Sequence, residues 1–589
     1  MGGTGCVRGP ALRVRLVGTR RGGAVSRIAQ LIPGIDAART YERAWLSKDV
    51  VAGLVLTALL VPQGMAYAEL AGLPAITGLY TSIMCLLAYA VFGPSRILVL
   101  GPDSSLGPMI AATIIPLIGA DGDPAKAIAL ASVLALMVGV CMILAGLFRL
   151  GFVADLFSKP TQIGYMNGLA LTILVGQLPK LFGFSIDADS FIEELSGFLR
   201  GLADGDTVPE ALAIGVAGLA IILITGRLTP KVPGVLVAVA VGIAAVVALD
   251  LGAEGVALVG ELPQGFPPFT LPRIELADLP LLVGGALGIT LVSLTDTIST
   301  SSAFAARTGQ EIDADQEMIG IGAANVSAGL FQGFPVSTSG SRTAVAERSG
   351  SRSQLTGVIG AVLIAAMLLL APGLFRNLPQ PVLASVVIAA SLSLADLPAM
   401  ARLLKQRRTD FVVALTAFAG VALFGVLPGI ALAVVISILN VFRKMWMPYR
   451  TELARVDGMP GYHDRRVFPQ GKTMDGLVLF RFDAPLLFAN ARTFRDEMRK
   501  LAASEPPPTW IVVAAEPITD VDTTAADMLE DLDLELNARG ISLVFAEMKS
   551  PVQEKVQRYE LTRTIDPNHF FDTVKQAVDA FTAHVGSGR

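Results

Sequence analysis

GFPVSTSGSRTAVAERSGSRSQLTG, residues 333–357, lies between long apolar segments yet is built from Ser, Thr, Gly and charged residues. Unsatisfied backbone in hydrocarbon costs several kcal/mol per group, so polar, flexible backbone at membrane depth is tolerated only inside protein or beside a cavity. Arg342 adds a charge, and an intramembrane arginine marks a functional site by default. The stretch reads as a broken helix whose N-terminus, with Arg342 beside it, holds an anion. The competing reading is a flexible loop at the membrane surface.

The whole chain agrees with a membrane setting. Its 589 residues are 53% hydrophobic and 16% charged, with 59 glycines and a mean hydropathy of +0.61. Charge is far below the usual quarter of residues, which excludes a purely soluble protein and disorder over most of the length. Charges are sparse from Asp49 to Val441 and dense from Arg443 onward, so a membrane region precedes a soluble one. The net charge of −4 gives no nucleic-acid signal. Cys6, Cys85 and Cys141 are scattered and support neither a disulfide framework nor a metal site. His463, His569 and His584 all fall in the soluble region, so imidazole is not the proton carrier inside the membrane. Residues 1–48 form a basic N-terminal arm, without the apolar core of a secretory signal, placed on the cytoplasmic surface.

Outward from the opening stretch, apolar segments of spanning length recur. They lie near 49–70, 74–92, 103–119, 125–148, 160–182, 207–226 and 231–250. After a polar, Pro-rich gap they resume at 279–305, 313–333, 338–350, 353–374, 379–396, 409–425 and 427–447. That is seven and seven. The third of each half, 103–119 and 338–350, is short or polar. Loop charge sets the sidedness. Even-numbered connections carry Arg96, Arg149, Lys159, Arg227, Lys231, Arg307, Arg348, Arg352, Arg402, Lys405, Arg407 and Arg408. Odd ones carry Lys126, Lys180, Arg200, Arg273 and Arg376. Both termini are therefore expected in the cytoplasm, in the plasma (inner) membrane of a cell. An odd number of segments per half inverts the second half, and paired interrupted segments in two halves point to a transporter's binding site. One offset, 233 residues, aligns Gln63 with Asp296 and Ser104 with Ser337.

The expected organisation is the arm 1–48, a transport domain 49–447 (repeats 49–250 and 279–447), a linker 448–473 and a soluble domain 474–585. In that last domain strands at 476–483, 509–516 and 541–548 alternate with helices at 490–502, 522–540, 550–561 and 570–584. No phosphate loop, metal cluster or catalytic pair is visible in it, so it reads as an interaction or regulatory module. Asp522 or Thr523 caps its second helix.

Four clusters carry the candidate chemistry. Pro62 interrupts the first segment, and Gln63 and Tyr67 share one face beyond it; Gln63 either donates to a ligand or ties two helices together. Gly101-Pro102-Asp103-Ser104-Ser105 opens a helix, where Asp103 caps the turn or faces the site. Asp296 lies mid-membrane and either takes up H⁺ or Na⁺ or pairs with Arg342. Ser337, Thr338, Ser339 and Ser341 supply hydroxyls beside Arg342, and Gly340 admits a ligand to the backbone. Two facing helix N-termini and an arginine predict an anionic substrate.

DVVAGLVLTALLVPQGMAYAELAGLPAITGLYTS (49–82), the GPDSS turn, and NVSAGLFQGFPVSTSGSRTAVAERSGSRSQLTG (325–357) resemble the SulP/SLC26 anion transporters, over about residues 35–585. The tail resembles their cytoplasmic STAS domain, with Asp522-Thr523-Thr524 at its Asp-Ser/Thr loop. The resemblance implies an α-helical polytopic membrane domain of 14 segments, a 7+7 inverted repeat with two broken half-helices, plus a small α/β STAS domain. It also implies core and gate subdomains, an elevator motion and a homodimer. Its substrate site falls on Gln63, Tyr67, Asp103, Ser104, Ser339, Gly340, Ser341 and Arg342. Asp296 falls where members carry an acid linked to cation coupling, with Asp103 a second coupling candidate and no resident cofactor or metal. Many members have a small or aromatic residue where this chain has Asp103, which favours H⁺- or Na⁺-coupled uptake. In the STAS loop Thr523 replaces the more familiar Ser.

The function expected is secondary active transport of an inorganic anion, sulfate first, then bicarbonate or a C4-dicarboxylate. The competitors are a passive anion channel and a membrane-anchored sensor with the STAS domain as output, contacting a cytoplasmic protein. A nucleobase transporter fits poorly, because neutral bases need amide and carboxylate readers more than a fixed cation. No residue set supports an enzyme.

Overall fold

Seven-residue spacing of small side chains sets the first helix pair of the membrane region. Ser132, Gly139 and Gly146 lie on one helix, α5 (Pro124–Leu147), and meet Gly329, Gly322 and Asp315 on α11 (Ala314–Leu330) in antiparallel register. A Cβ on Gly139 would stand 2.7 Å from the Gly322 carbonyl oxygen, and one on Gly322 equally close to that of Gly139. Small residues permit this approach, and van der Waals packing is what holds helices together in lipid.

The computed structural model describes residues 32–118, 122–151, 158–186, 188, 190–229, 232–308 and 313–587. Residues 1–31 of the expected arm, Asp187, Asp189, Lys231 and the side chain of Arg307 lie outside that description. The chain divides between Val435 and Ile436 into two units.

In the first unit a short α1 (Pro33–Arg39) precedes α2 (Leu46–Leu70) and α3 (Ala75–Phe92). Then come α4 (Gly107–Ile118), α5, α6 (Lys159–Phe182), α7 (Phe191–Asp204), α8 (Pro209–Leu228) and α9 (Gly234–Leu249). The second half holds α10 (Leu279–Thr308), α11, α12 (Gly340–Arg348), α13 (Leu355–Leu370), α14 (Gln380–Leu394), α15 (Leu397–Gln406), α16 (Arg408–Phe424) and α17 (Val426–Trp446), the last running across the division. A helix stands at each of the fourteen expected segments. Seven stretches of the described residues are long and apolar enough to cross a membrane by length and composition. Two stretches read as connections are amphipathic helices instead, α7 and α15. Each is started by a side-chain cap: Ser190 accepts from Glu193 N and Asp396 from Ala399 N. The cap signals are in the sequence, but the apolar stripes are too short to register as spans.

Outward faces are apolar. Val216, Leu223 and Ile224 of α8 and Val241 and Val247 of α9 are exposed, as expected where the solvent is hydrocarbon. The helices pack in two sets: α2 to α5 with α10 to α13, and α6, α8 and α9 with α14 to α16; α9 and α14 also touch α2. The halves correspond at the expected offset. α2 begins at Leu46 and α10 at Leu279; α4 begins at Gly107 and α12 at Gly340; both pairs are 233 apart. α2 runs through Pro62 without a break.

Gly78 of α3 is pressed against α2: a Cβ there would lie 1.9 Å from the Gly64 carbonyl oxygen. Rigid backbone cannot yield as a side chain can, so Gly78→Ala is expected to cost about 3 kcal/mol or more. Loss of the monodisperse peak on size exclusion reads this out. Gly226→Ala, where nothing lies within 4 Å, is the control that should leave the peak intact.

The second unit is an α/β domain with a six-stranded sheet in the order β4-β3-β5-β6-β7-β8. Its strands are β3 (Arg450–Ala454), β4 (His463–Asp464), β5 (Leu477–Phe482), β6 (Trp510–Ala514), β7 (Ser542–Ala546) and β8 (Phe570–Phe571). The two-residue β1 and β2 belong to the first unit and are placed below. β5 to β8 run parallel, and β3 pairs antiparallel with both β4 and β5. Helices α18 (Ala491–Ala502), α19 (Thr523–Asn537), α20 (Ser550–Arg558) and α21 (Val574–Ser587) accompany the sheet. Two expectations are corrected. The stretch 448–473 is no linker: it supplies β3 and β4. Its strand signal was weak because β3 alternates only over Thr451 and Leu453, flanked by charged Arg450 and Glu452. The helix expected over 570–584 splits into β8 and α21, since Phe570 and Phe571 pair with Phe545 and Ala546 and Thr573 Oγ1 accepts from Gln576 N 3.1 Å away.

Asp533 is a buried acid in α19, and burial pushes its carboxyl up to about 6, opposed by the Asn537 amide that donates to Oδ2 at 2.9 Å. A raised carboxyl favours the protonated fold. Stability from this group is thus full below the unfolded value of about 3.9 and lost as pH rises through about 6. Asp533→Asn should stabilise the domain at pH 7 by about 1–2 kcal/mol and leave it unchanged at pH 4. Hydrogen-exchange protection of α19 and β7 in the full chain measures this.

Candidate functional site

Two short strands meet where the interrupted segments were expected. β1 (Leu100–Gly101) pairs antiparallel with β2 (Ser337–Thr338), Leu100 opposite Thr338 and Gly101 opposite Ser337. Each strand then leads into a half-helix, α4 and α12. An antiparallel crossing of equivalent strands is what an inverted repeat produces. It brings the starts of α4 and α12, the positive ends of their dipoles, to the same crossing.

Buried polar groups fasten the crossing. Asn325 of α11 donates to Val336 O (3.1 Å) and accepts from Val336 N (2.9 Å), holding the chain just before β2. Ser339 N donates to Val99 O, and Val99 N to Thr343 Oγ1, both at 3.0 Å. Thr81 Oγ1 accepts from Phe334 N. Ser339 caps α12, accepting from Arg342 N, and its hydroxyl lies 3.2 Å from that of Ser341.

Arg342 is 1% exposed, and its Nη1 donates to Pro102 O at 2.5 Å. Nη2 stands 3.7 Å from Asp103 Oδ2, an ion pair without a hydrogen bond. Among the described residues Nε and Nη2 have no hydrogen-bond partner. Gly101 lies against the guanidinium: a Cβ there would sit at ordinary contact distance, 3.5 Å, from Arg342 Cζ. Gly340 borders open space, since a Cβ would meet nothing nearer than Thr300 at 3.8 Å.

Asp103 does both things left open for it. Its Oδ1 accepts from Ser105 N (3.0 Å) and Ser105 Oγ (2.7 Å), capping the turn into α4, while Oδ2 faces Arg342. Asp296 does not pair with Arg342, whose acid partner among the described residues is Asp103. The half-buried Asp296 interacts instead with Ser105, with Gln162 of α6, and with the Asp103 charge. Tyr67, 5% exposed, approaches Ser104 and lies in the fields of Arg342 and Asp103. Gln63, one turn earlier and half-buried, has no hydrogen-bond partner among the described residues, so it is not tying helices together here. The junction therefore gathers one cation and two carboxylates. Among the described residues no group of three His, Cys, Asp or Glu is placed to hold a metal.

Three contributors were missed from the sequence: Gln162, Asn325, and Tyr165, which lies in the fields of Asp296 and Asp103. The polar run 159–167 in an otherwise apolar helix was the available signal for Gln162 and Tyr165. In the second unit, Asp522 caps α19, accepting from Ala525 N at 2.8 Å and from Phe488 N at 2.7 Å. Thr523 and Thr524 are exposed on its first turn.

Residues 46–417 match the sulfate permease family and 469–577 the STAS domain. A probable sulfate transporter of Mycobacterium tuberculosis is 40% identical over 550 residues, 93% of this chain and 98% of that protein. The chloroplastic sulfate transporter 4.1 of Arabidopsis thaliana is 29% identical, over 96% and 84%. The fold matches the inward-facing murine Solute Carrier 26 family member A9 anion transporter with a TM-score of 0.87 and 21% identity, over 96% and 97%. It also matches the transmembrane domain of a cyanobacterial bicarbonate transporter, BicA, at 0.58 and 23%, over 68% and 98%. On the family match and the extent of these relatives, this chain belongs to the sulfate permease family, of transporters rather than enzymes, with a STAS domain following its helical membrane region.

Proposed function

We propose that the chain is a secondary active transporter of an inorganic anion, sulfate, taken up with H⁺ or Na⁺ by elevator-type alternating access. The observation that carries this is the charge of the junction. Arg342 and two half-helix N-termini favour an anion, but Asp103 and Asp296 together outweigh the single arginine. An anion binds well only when a carboxylate is protonated or a cation sits beside it. Binding of anion and cation is then mutually dependent, which is the requirement for coupled transport. The relatives named as sulfate transporters support the choice of anion, and BicA keeps bicarbonate as the second reading. Gln63, Tyr67, Ser104, Ser339, Gly340 and Ser341 would ring the anion, with Asp296 taking the cation and Asp103 the next carboxylate in line.

The two helix sets are the natural moving bodies, the junction riding on the first while α6 presents Gln162 from the second. The wider proposal has fourteen crossings, both termini in the cytoplasm of a plasma (inner) membrane, a homodimer, and the STAS domain with Asp522 and Thr523 contacting a regulatory partner. Reconstituted protein should take up radiolabelled sulfate faster than bicarbonate or C4-dicarboxylates, and only with an inward H⁺ or Na⁺ gradient. Equal flux under every gradient except the anion's own would replace this reading with a passive channel.

A further inference from the structure

Glu317 opens α11 with a carboxylate that is 1% exposed. Its Oε2 accepts from the Tyr89 hydroxyl of α3 at 2.6 Å, and Tyr89 is itself 1% exposed. Among the described residues no Lys, Arg or His forms an ion pair with Glu317. The titratable neighbours are few. From α3 there is Tyr89. Before α11 there is Asp313, whose side chain caps that helix. The Asp315 carboxylate lies instead beside Gly151. From α5, between Ala127 and Leu147, comes no charged side chain, and Cys141 faces Thr290 of α10. Arg149, past the end of α5, is exposed. An unpaired carboxylate so enclosed is costly to ionise, and the Asp313 charge adds to the cost.

The acid is enclosed but not isolated. The Tyr89 ring lies flat on Gly93, where a Cβ would come within 2.5 Å of it, and Ser95 reaches the Tyr89 hydroxyl. Gln316 Nε2 anchors the same loop, donating to Phe92 O at 3.2 Å. Gly93, Pro94 and Ser95 line a cavity of about 440 Å³ that also touches Arg96, Trp45 and Gln354. A route from that cavity through Ser95 and Tyr89 to Glu317 is therefore built into the fold. Two turns along α11 stands Asn325, which holds the chain ahead of β2 and so the junction carrying Arg342.

We propose that Glu317 is a protonation site separate from Asp296, filled through Tyr89 from the side of the protein bearing Ser95, and that its occupancy sets the transport rate through α11. The step is simple addition of H⁺ to one carboxylate oxygen, with the Tyr89 hydroxyl turning to accept rather than donate. It rests on the transport reading for its consequence, but not for its existence.

The experiment pairs infrared spectroscopy with counterflow on the reconstituted full chain. A protonated-carboxyl band that titrates with pH should vanish in Glu317→Gln, persist in Asp296→Asn and be displaced in Tyr89→Phe. Sulfate counterflow at equal pH on both sides should change by up to about tenfold per pH unit on the limb set by this group, and by under about twofold in Glu317→Gln, which stays at the wild-type acid-limb rate. No band assignable to Glu317 overturns the proposal whether or not transport occurs. A band with an unchanged counterflow profile in Glu317→Gln overturns the rate control. Should Glu317→Gln fail to fold, the Tyr89→Phe displacement decides, and its absence counts against the proposal. Absence of wild-type uptake of any anion would sink the transport reading and leave the spectroscopic claim to stand or fall alone.

Discussion

Arg342→Ala is expected to abolish sulfate uptake while the protein still inserts and folds. The guanidinium is buried and keeps two donor nitrogens, Nε and Nη2, without a hydrogen-bond partner among the described residues, available to an anion beside Gly340. Unit charges 4 Å apart attract by about 4 kcal/mol at an effective dielectric near 20. At about 1.4 kcal/mol per factor of ten, that predicts a loss approaching a thousandfold in apparent affinity. Truncation also strands Asp103, whose charge the arginine offsets at 3.7 Å. Breaking a buried pair costs about 3–5 kcal/mol when one charge is left behind. The double variant Arg342→Ala, Asp103→Asn separates the two effects: it should recover thermal stability without recovering uptake. Arg342→Lys should retain the charge but lose the planar fork that reaches Pro102 O, and fall between. Unchanged uptake of sulfate, bicarbonate and dicarboxylate in Arg342→Ala would remove the anion site from this junction.

Asp296→Asn should uncouple the transporter. With Asp296 neutral the junction holds one cation and one carboxylate, the balance that the wild type reaches only after taking up a cation. The wild type should therefore respond to an imposed inward H⁺ or Na⁺ gradient. In Asp296→Asn acceleration by the gradient should disappear, and sulfate counterflow, which needs no net driving force, should survive. The direction is fixed by charge: neutralising an acid next to an anion strengthens anion binding, so wild-type uptake rises with acidification of the uptake side when H⁺ is the coupling ion. Initial rates in proteoliposomes with and without each gradient measure this. Persistent gradient dependence would move coupling to Asp103.

Composition and hydropathy were enough for the membrane region, the soluble region after it and the positions of the helices, because burial in lipid imposes long apolar runs that a linear scan detects. The pairing of Gly101–Ser105 with 333–357 was also legible. An offset of 233 residues is a one-dimensional property, and the helix starts keep it. The heptad of Ser132, Gly139 and Gly146 was equally linear, but its meaning depends on a partner helix nearly 200 residues away.

What only the tertiary structure decided is who faces whom. Arg342 reads as a lone arginine until β1 and β2 cross and bring it to Pro102 and Asp103. Asp296 was left between taking up a cation and pairing with Arg342; the fold sets it beside Ser105 and Gln162 and gives Arg342 to Asp103. Glu317 carried no motif at all, and becomes notable through Tyr89, 228 positions earlier in the chain. The reason is physical. The free energy of a charge in a membrane protein depends on its distance to other charges and on what excludes water from it, and neither is a property of the residue's place in the sequence. The sequence by itself therefore determined the fold class, the repeat and the polar break at 333–357. The tertiary structure decided that this break holds one arginine against two acids, which is the arrangement from which cation-coupled anion transport is argued.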